Sequence, residues 1–408
     1  MAPALAERSR SHNACPRVPF AIILIDIDDF KNVNDYYSHL CGDYILKELG
    51  KRFIDLSKDG KFYVYRFGGD EFLLFYTHGH LNSYIEDYEK VENIFKEPFI
   101  YNQNKIYIKA SFGIVNSNEK YITLDEYISN ADLSMYNSKR CGKNKITIFE
   151  ESLKNAASNK QEITLILENA IKTNSFTVLY QPQINALTKQ IEGYEALVRL
   201  KESNISPGQF IPVAEETGLI VQIARFVTEE VVRQISEWKR NGIPLYKVGI
   251  NYSYGQSHDE NYVKYLKNLL EVYDIAPELI GVEITESLFI DNKEKSMQLF
   301  KDFNSLGITL SLDDFGTGYS SLSYLTFLPI EKVKIDKSLV DNYLNKERSL
   351  FIKNIVNLVH SLDLKLVVEG VESADQYELL KEYQCDVIQG YFFSRPITGK
   401  DVETYKPA

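Results

Sequence analysis

Short runs rich in Val, Ile and Leu recur through the second half of this sequence, and nearly all are followed by a stretch long enough for a helix. They read FTVLYQPQI, IEGYEALVRL, YKVGIN, LIGVEI, ITLSLDD, KVKID, LKLVVE and DVIQG, spread over residues 162–408. Period-2 or continuous apolar runs bounded by helical patterns argue buried parallel strands joined by crossover helices. About eight such units in roughly 250 residues is the size of a TIM-type (β/α)8 barrel, and that fold is expected for residues 162–408.

A polar residue stands at or just past the end of nearly every run: Glu195, Asn251, Glu283, Asp313 with Asp314, Lys334, Glu369 and Gln389. One acidic residue after a strand is most simply a helix N-cap or a solvated loop charge. In a barrel, however, the carboxyl ends of parallel strands all open on one face, so these side chains should meet in one cup. Five carboxylates sharing so small a volume raise one another's pKa and cannot all ionise unless cations join them. An all-oxygen donor set selects hard ions such as Mg²⁺ or Mn²⁺. The adjacent Asp313 and Asp314 suit two ions about 3.5–4 Å apart, an arrangement that activates water for in-line attack on phosphorus. Lys334 is the one cation of the set. It either orients or deprotonates the attacking water, or is a structural ion pair.

The first half has a different pattern. Residues 1–17, MAPALAERSRSHNACPR, contain arginine but no lysine and are expected to be a leader, disordered or foreign to the rest. Residues 18–150 are expected to form one α/β domain. Its apolar run FAIILI ends at Asp26, and a helix is expected near Tyr37–Phe53. The runs KFYVYRF and EFLLFY flank Gly68, Gly69 and Asp70, a hairpin signal in which Gly-Gly supplies positive φ. Asp26 at a strand end and Asp70 with Glu71 at a hairpin tip would suit Mg²⁺ carried by a triphosphate. Residues 151–161 are polar and are read as a linker or the start of a connecting helix. A net charge of −11 leaves no broad cationic surface for a nucleic-acid polymer. No apolar run approaches the roughly 20 residues of a membrane span. Four scattered cysteines without metal-finger spacing fit a reducing cytoplasm.

Taken together, YEALVRL, FIPVAEETGLI, VEITES, DDFGTGYSSL, KVKIDKSLV, VVEGVES and QGYFFSRP resemble the EAL phosphodiesterases of bacterial cyclic di-GMP signalling over 160–408. That resemblance implies hydrolysis of one phosphodiester of cyclic di-GMP to linear 5′-pGpG with two Mg²⁺ or Mn²⁺. Glu195, Asn251, Glu283 and Asp313 would hold one ion, and Asp313, Asp314 and Glu369 the second. Lys334 would assist the attacking water, and Glu286 would brace the segment around Asp313. Gln181, Arg199 and Gln389 would contact the nucleotide or the waters around the ions, and a homodimer is expected.

The stretches DIDDFKNVND, Gly42-Asp43, RFGGDEF and SKRCGKN are similar to the GGDEF diguanylate cyclases over 18–150, with the family's preceding segment truncated. By that likeness Asp26, the carbonyl of Ile27 and Asp70 would bind Mg²⁺ with GTP, and Glu71 would support the phosphates. Asn34 and Asp43 would read guanine, Gly68 and Gly69 would admit the nucleotide, and Lys139 and Lys143 would hold the terminal phosphates. Ser38 stands where a glycine is usual, and Lys143 where an arginine is. The expected function is therefore a phosphodiesterase whose GGDEF domain binds GTP as a regulator or keeps some cyclase activity. Net cyclic di-GMP synthesis, or a non-catalytic receptor of the two nucleotides, are the alternatives.

Overall fold

A computed structural model describes residues 20–60, 62–77, 83–117, 123–289, 293–316, 324–344 and 350–407. The leader 1–17 lies outside them. The chain divides into two compact units, 1–159 and 160–408. Residues 151–161 are helical, part of the helix Glu151–Thr173. Among the described residues no helix is long and apolar enough to cross a membrane.

The strands of the first unit are β1 (Phe20–Ile27), β2 (Phe62–Gly68), β3 (Glu71–Thr77), β4 (Phe99–Tyr101), β5 (Asn104–Ile106), β6 (Ala110–Asn116) and β7 (Ile146–Ile148). Five form one sheet in the order β2-β3-β1-β6-β7, while β4 and β5 pair separately. All eight residues of β1 are buried, because it lies between two antiparallel neighbours and is covered on both faces. Its alternate residues feed two cores: Ile23 and Ile25 join Leu49 and Phe53, and Ile22 and Leu24 join Tyr127 and Met135. This continuous burial explains the uninterrupted apolar run.

Two details go beyond the expectations. The helix expected near Tyr37–Phe53 is His39–Leu56, and a further helix, Phe30–Tyr37, precedes it across a break at Ser38. Ser38 takes φ 116°, a conformation in which a Cβ is strained and glycine is the natural occupant. At the hairpin, Gly68 still belongs to β2, and Gly69 alone has positive φ.

The second unit is a closed barrel of β8 (Phe176–Asn185), β9 (Ile191–Leu200), β10 (Lys247–Tyr252), β11 (Ile280–Thr285), β12 (Thr309–Phe315), β13 (Lys332–Ile335), β14 (Lys365–Val368) and β15 (Val387–Ile388). It departs from an all-parallel barrel in one respect: β8 runs antiparallel to both β9 and β15. The cause is local. Only five residues separate β8 from β9, too few for a crossover helix, and the Asn185 side chain closes the turn by accepting from the amides of Leu187 and Thr188. The other seven strands are parallel, so their carboxyl ends open together.

Helices Pro207–Thr217, Ile220–Arg240, Tyr262–Tyr273, Lys293–Ser305, Leu350–His360 and Ala374–Glu382 belong to the connections between these strands. Aromatic residues anchor the packing: buried Trp238 meets Tyr180 edge-on, and its indole N–H donates to the Gly399 carbonyl at 2.9 Å.

Candidate active site

Toward its mouth the barrel interior is polar rather than filled by branched aliphatic side chains. Glu195, Glu283, Asp313, Lys334, Gln181, Gln183 and Gln389 are all buried there. Register explains the convergence. Gln181 lies opposite Glu195, Gly249 on the other side of Glu195, and Asn251 opposite Glu283. Glu369 and Gln389 stand just past their strands, held in line because their amides donate to Ile335 O and Val368 O. The Gly249 position admits no side chain, since a Cβ would come 2.3 Å from Glu283 Oε1.

At the centre is Lys334, 1% exposed. Its Nζ lies 2.5 Å from Glu283, 2.6 Å from Glu369, 3.2 Å from Glu195 and 3.3 Å from Asp313. Glu369 Oε1 is buried, and its ion pair with Lys334 is its one polar contact among the described residues. Glu195 also accepts from Asn251 Nδ2 at 2.8 Å and Gln389 Nε2 at 2.6 Å.

Burial is the largest influence on every group in this cluster. It opposes ionisation of Glu195, yet Lys334 with the Gln389 and Asn251 amides holds that carboxyl below its usual range. Burial, with Glu195 and Asp313 adding to it against Lys334, pushes Glu283 up to about 8. Burial followed by the charge of Asp313 pushes Asp314 up to about 6. Asp313 and Glu369 are raised for the same first reason. Burial would lower Lys334, but its four carboxylates more than reverse that and keep it an ammonium.

Fully ionised, four carboxylates against one ammonium would carry an excess of negative charge, which burial relieves by keeping protons on some of them. The donor set fits a hard divalent cation: oxygens of Glu195, Glu283 and Asp313 all lie within 4.8 Å of one another, and buried Glu369 Oε1 faces the same ammonium with no further hydrogen-bond partner among the described residues. A pH dependence follows. A carboxyl with raised folded pKa binds more protons folded than unfolded, so it stabilises at low pH and that stability is lost as pH rises through the folded pKa. In chelator-treated protein the unfolding temperature of this unit is therefore expected to fall by several degrees as pH rises from about 5 to about 8, through the Asp314 and Glu283 values. The increment produced by Mg²⁺ or Mn²⁺ should grow over the same range, because the cation then displaces fewer protons. Thermal scans at several pH values check this; a pH-independent increment would contradict it.

A cleft of about 700 Å³ opens beside the cluster, with Asn251, Asp313 and Asp314 on its floor and half-buried Arg199 in its wall. Its volume is ordinary for a small-molecule site. Asp314 sits at a break in the β12–β13 register with φ 54°. Glu286, just past β11, accepts from the Gly316 amide at 3.4 Å and so ties the segment following Asp313 and Asp314. Gln183 was not anticipated. It donates to Gln389 Oε1 at 3.1 Å and lies two residues from Gln181, the spacing that puts both on one strand face.

In the first unit Asp26, Asp70, Glu71 and Lys139 come together. Lys139 Nζ lies 2.7 Å from Asp26 Oδ2. Burial, then the neighbouring Asp26 and Asp132, raises the Glu71 carboxyl. A smaller cleft of about 430 Å³ is lined by Glu71, Asn130, Asp132, Tyr136 and Lys139. Buried Ile27 closes β1. Lys143 does not share Lys139's partner: its Nζ pairs with Asp29 at 2.6 Å. Asn34 lies over Gly42, where a Cβ would meet its Oδ1, and Asp43 beside it is exposed.

Comparison with known proteins agrees with both halves. The EAL domain family model matches residues 165–396, and the diguanylate cyclase GGDEF domain model matches 3–145, reaching into the stretch set apart as a leader. The chain is 36% identical over 390 residues to the signaling protein YkoW of Bacillus subtilis, covering 94% of this chain and 48% of that protein. It is 33% identical over 387 residues to the bifunctional diguanylate cyclase/cyclic di-GMP phosphodiesterase MucR of Pseudomonas aeruginosa, covering 94% and 56%. The chain thus spans about half the length of the curated relatives it matches. A solved structure of the PaMucR phosphodiesterase in complex with c-di-GMP aligns with TM-score 0.56 at 34% identity, over 59% of this chain and 99% of that one. A barrel with an antiparallel first strand and an acidic mouth, preceded by a domain with the GGDEF hairpin, places this chain in the EAL domain family, in its tandem GGDEF–EAL form.

Proposed function

We propose that the barrel hydrolyses one phosphodiester of cyclic di-GMP to linear 5′-pGpG with the help of two Mg²⁺ or Mn²⁺. The observation that carries this reading is the meeting of Glu195, Glu283, Asp313 and Glu369 around one buried ammonium beside a cleft large enough for a nucleotide. Glu195, Asn251, Glu283 and Asp313 would hold one ion, and Asp313, Asp314 and Glu369 the other. Bound divalent ions supply the positive charge that polarises a phosphoryl oxygen and eases ionisation of a water.

The chain's own residues do the rest. Lys334 as an ammonium donates toward the attacking water and offsets negative charge that develops on phosphorus. Arg199, Gln181 and Gln389 bind and orient the nucleotide. Glu286 keeps the Asp313 segment in place. In the first domain Asp26, Asp70 and Glu71 with Lys139 would hold Mg²⁺ and the GTP phosphates, so that this domain either regulates the barrel or keeps some cyclase turnover.

Incubating purified protein with Mg²⁺ or Mn²⁺ and cyclic di-GMP, and separately with GTP, tests the whole reading. Linear product is the expected result; cyclic product from GTP without hydrolysis, or no product at all, overturns it. Asp70→Ala is expected to remove GTP binding and any cyclic product while barrel hydrolysis stays within about twofold, a change at a half-buried turn residue outside both cores costing the fold little. A parallel loss of hydrolysis in folded protein would mean that the two domains are energetically coupled and would favour the regulatory role of the first.

A further inference from the structure

Gln183 contacts no part of the cleft, yet it is buried inside the barrel at the end of a hydrogen-bonded row of three amides. Gln181 Nε2 donates to the Ser394 carbonyl at 3.3 Å. Gln389 Nε2 donates to Gln181 Oε1 at 3.3 Å and to Glu195 Oε2 at 2.6 Å. Gln183 Nε2 in turn donates to Gln389 Oε1 at 3.1 Å and, more weakly, to Glu283 Oε1 at 3.5 Å.

The direction of this row is not free. A backbone carbonyl and carboxylates can only accept, so Gln181 turns its NH₂ to Ser394 and its carbonyl to Gln389. Gln389 turns its NH₂ to Glu195, and its carbonyl then needs a donor, which only Gln183 supplies among the described hydrogen bonds. The antiparallel course of β8 is what brings the third amide in, by placing Gln183 opposite Gly193 and directly beneath Gln181. Gly193 is set by the neighbouring strand rather than by Gln183: a Cβ there would stand 2.8 Å from the Lys247 carbonyl but at an ordinary 3.7 Å from Gln183 Oε1.

We propose that Gln183 is a positioning residue which, through Gln389, fixes the orientation of Glu195 Oε2 and Gln181. Without it the Gln389 carbonyl is buried with no donor, and the amide keeps only the two bonds of its NH₂, so it is held less firmly against Glu195. Outer partners that orient ligating carboxylates are worth about 10–100-fold in ion affinity or activity when removed. The inference rests on the proposed ion site, and ion binding can be read without any nucleotide.

The test is Gln183→Leu in the full chain, with Gln183→Met as a second variant should the first fail to fold. Mn²⁺ titration by calorimetry is expected to show about tenfold weaker binding, with the unfolding temperature in chelator lowered by no more than a few degrees for the carbonyl left without a donor. Turnover of cyclic di-GMP should fall about tenfold in kcat with KM within about twofold. In a Gln389→Leu background the same change should add less than about twofold, because the route to Glu195 is already cut. Unaltered Mn²⁺ affinity and kcat in folded variants, or full additivity with Gln389→Leu, overturns the proposal. A parent protein that binds Mn²⁺ but leaves cyclic di-GMP intact overturns the phosphodiesterase reading alone, and the titration still decides the role of Gln183.

Discussion

Glu195→Ala is expected to reduce cyclic di-GMP hydrolysis by about 10³-fold or more while the barrel unfolds within a few degrees of the parent. Glu195 is the point at which the site's contacts converge: it accepts from Asn251, Gln389 and Lys334 and lies within 4.8 Å of the Glu283 and Asp313 oxygens. Alanine therefore removes an ion ligand, takes the Asn251 amide's acceptor and leaves the Gln389 amide only the weaker bond to Gln181. The fold survives because Lys334 keeps three of its four carboxylates and the β8–β9–β10 ladder is built from backbone groups. Product chromatography at saturating Mn²⁺, together with a thermal scan, measures both effects. Near-parental turnover would remove Glu195 from the site. A collapse of the unfolding temperature would instead make its role structural.

The barrel site was legible because parallel strands convert sequence periodicity into geometry. Once β9 to β15 run the same way, residues toward their carboxyl ends must share one mouth, and Asn251, Glu283, Asp313, Lys334, Glu369 and Gln389 could be read off the ends of apolar runs. Glu195, expected at a strand end, instead lies in the middle of the longer β9, level with the mouth because it pairs with Gly249 of β10. Strand direction was not legible for β8, since an apolar run looks the same whichever way it is traversed. The short Ala186–Gln190 connection was the available signal. Gln183 was hidden for the same reason: it lies inside a strand rather than at its end, and only the reversed course of β8 brings it beneath Gln389.

In the first unit the central strand was plain from its unbroken apolar run, whereas β4, β5 and β7, of three residues each, are too short to show a period. Ser38 illustrates another limit. Its positive φ is imposed by the junction of two helices, and serine is no signal for that conformation.

The ion-free barrel depends on its single internal cation, and Lys334→Met exposes that dependence. Methionine fills nearly the same volume but leaves Glu195, Glu283, Asp313 and Glu369 facing one another with no positive charge among them. Removing one partner of a buried ion pair costs about 3–5 kcal/mol, because the desolvated charge that remains is uncompensated. For a unit of this size that is roughly 10 °C in unfolding temperature. The loss should be largest near pH 8 and smaller near pH 6, since protonation relieves the repulsion wherever burial has raised the carboxyls, as at Glu283 with its value of about 8. Mg²⁺ or Mn²⁺ replaces the missing charge, so most of the lost stability should return on adding the ion, whereas turnover should not, because no ammonium remains to donate toward the attacking water. Thermal scans of the variant with chelator and with ion, each beside a turnover assay, separate the two roles. If Lys334→Met in chelator is as stable as the parent, the carboxylates are not held together by that ammonium; if ion restores turnover along with stability, Lys334 has no part in the reaction beyond its charge.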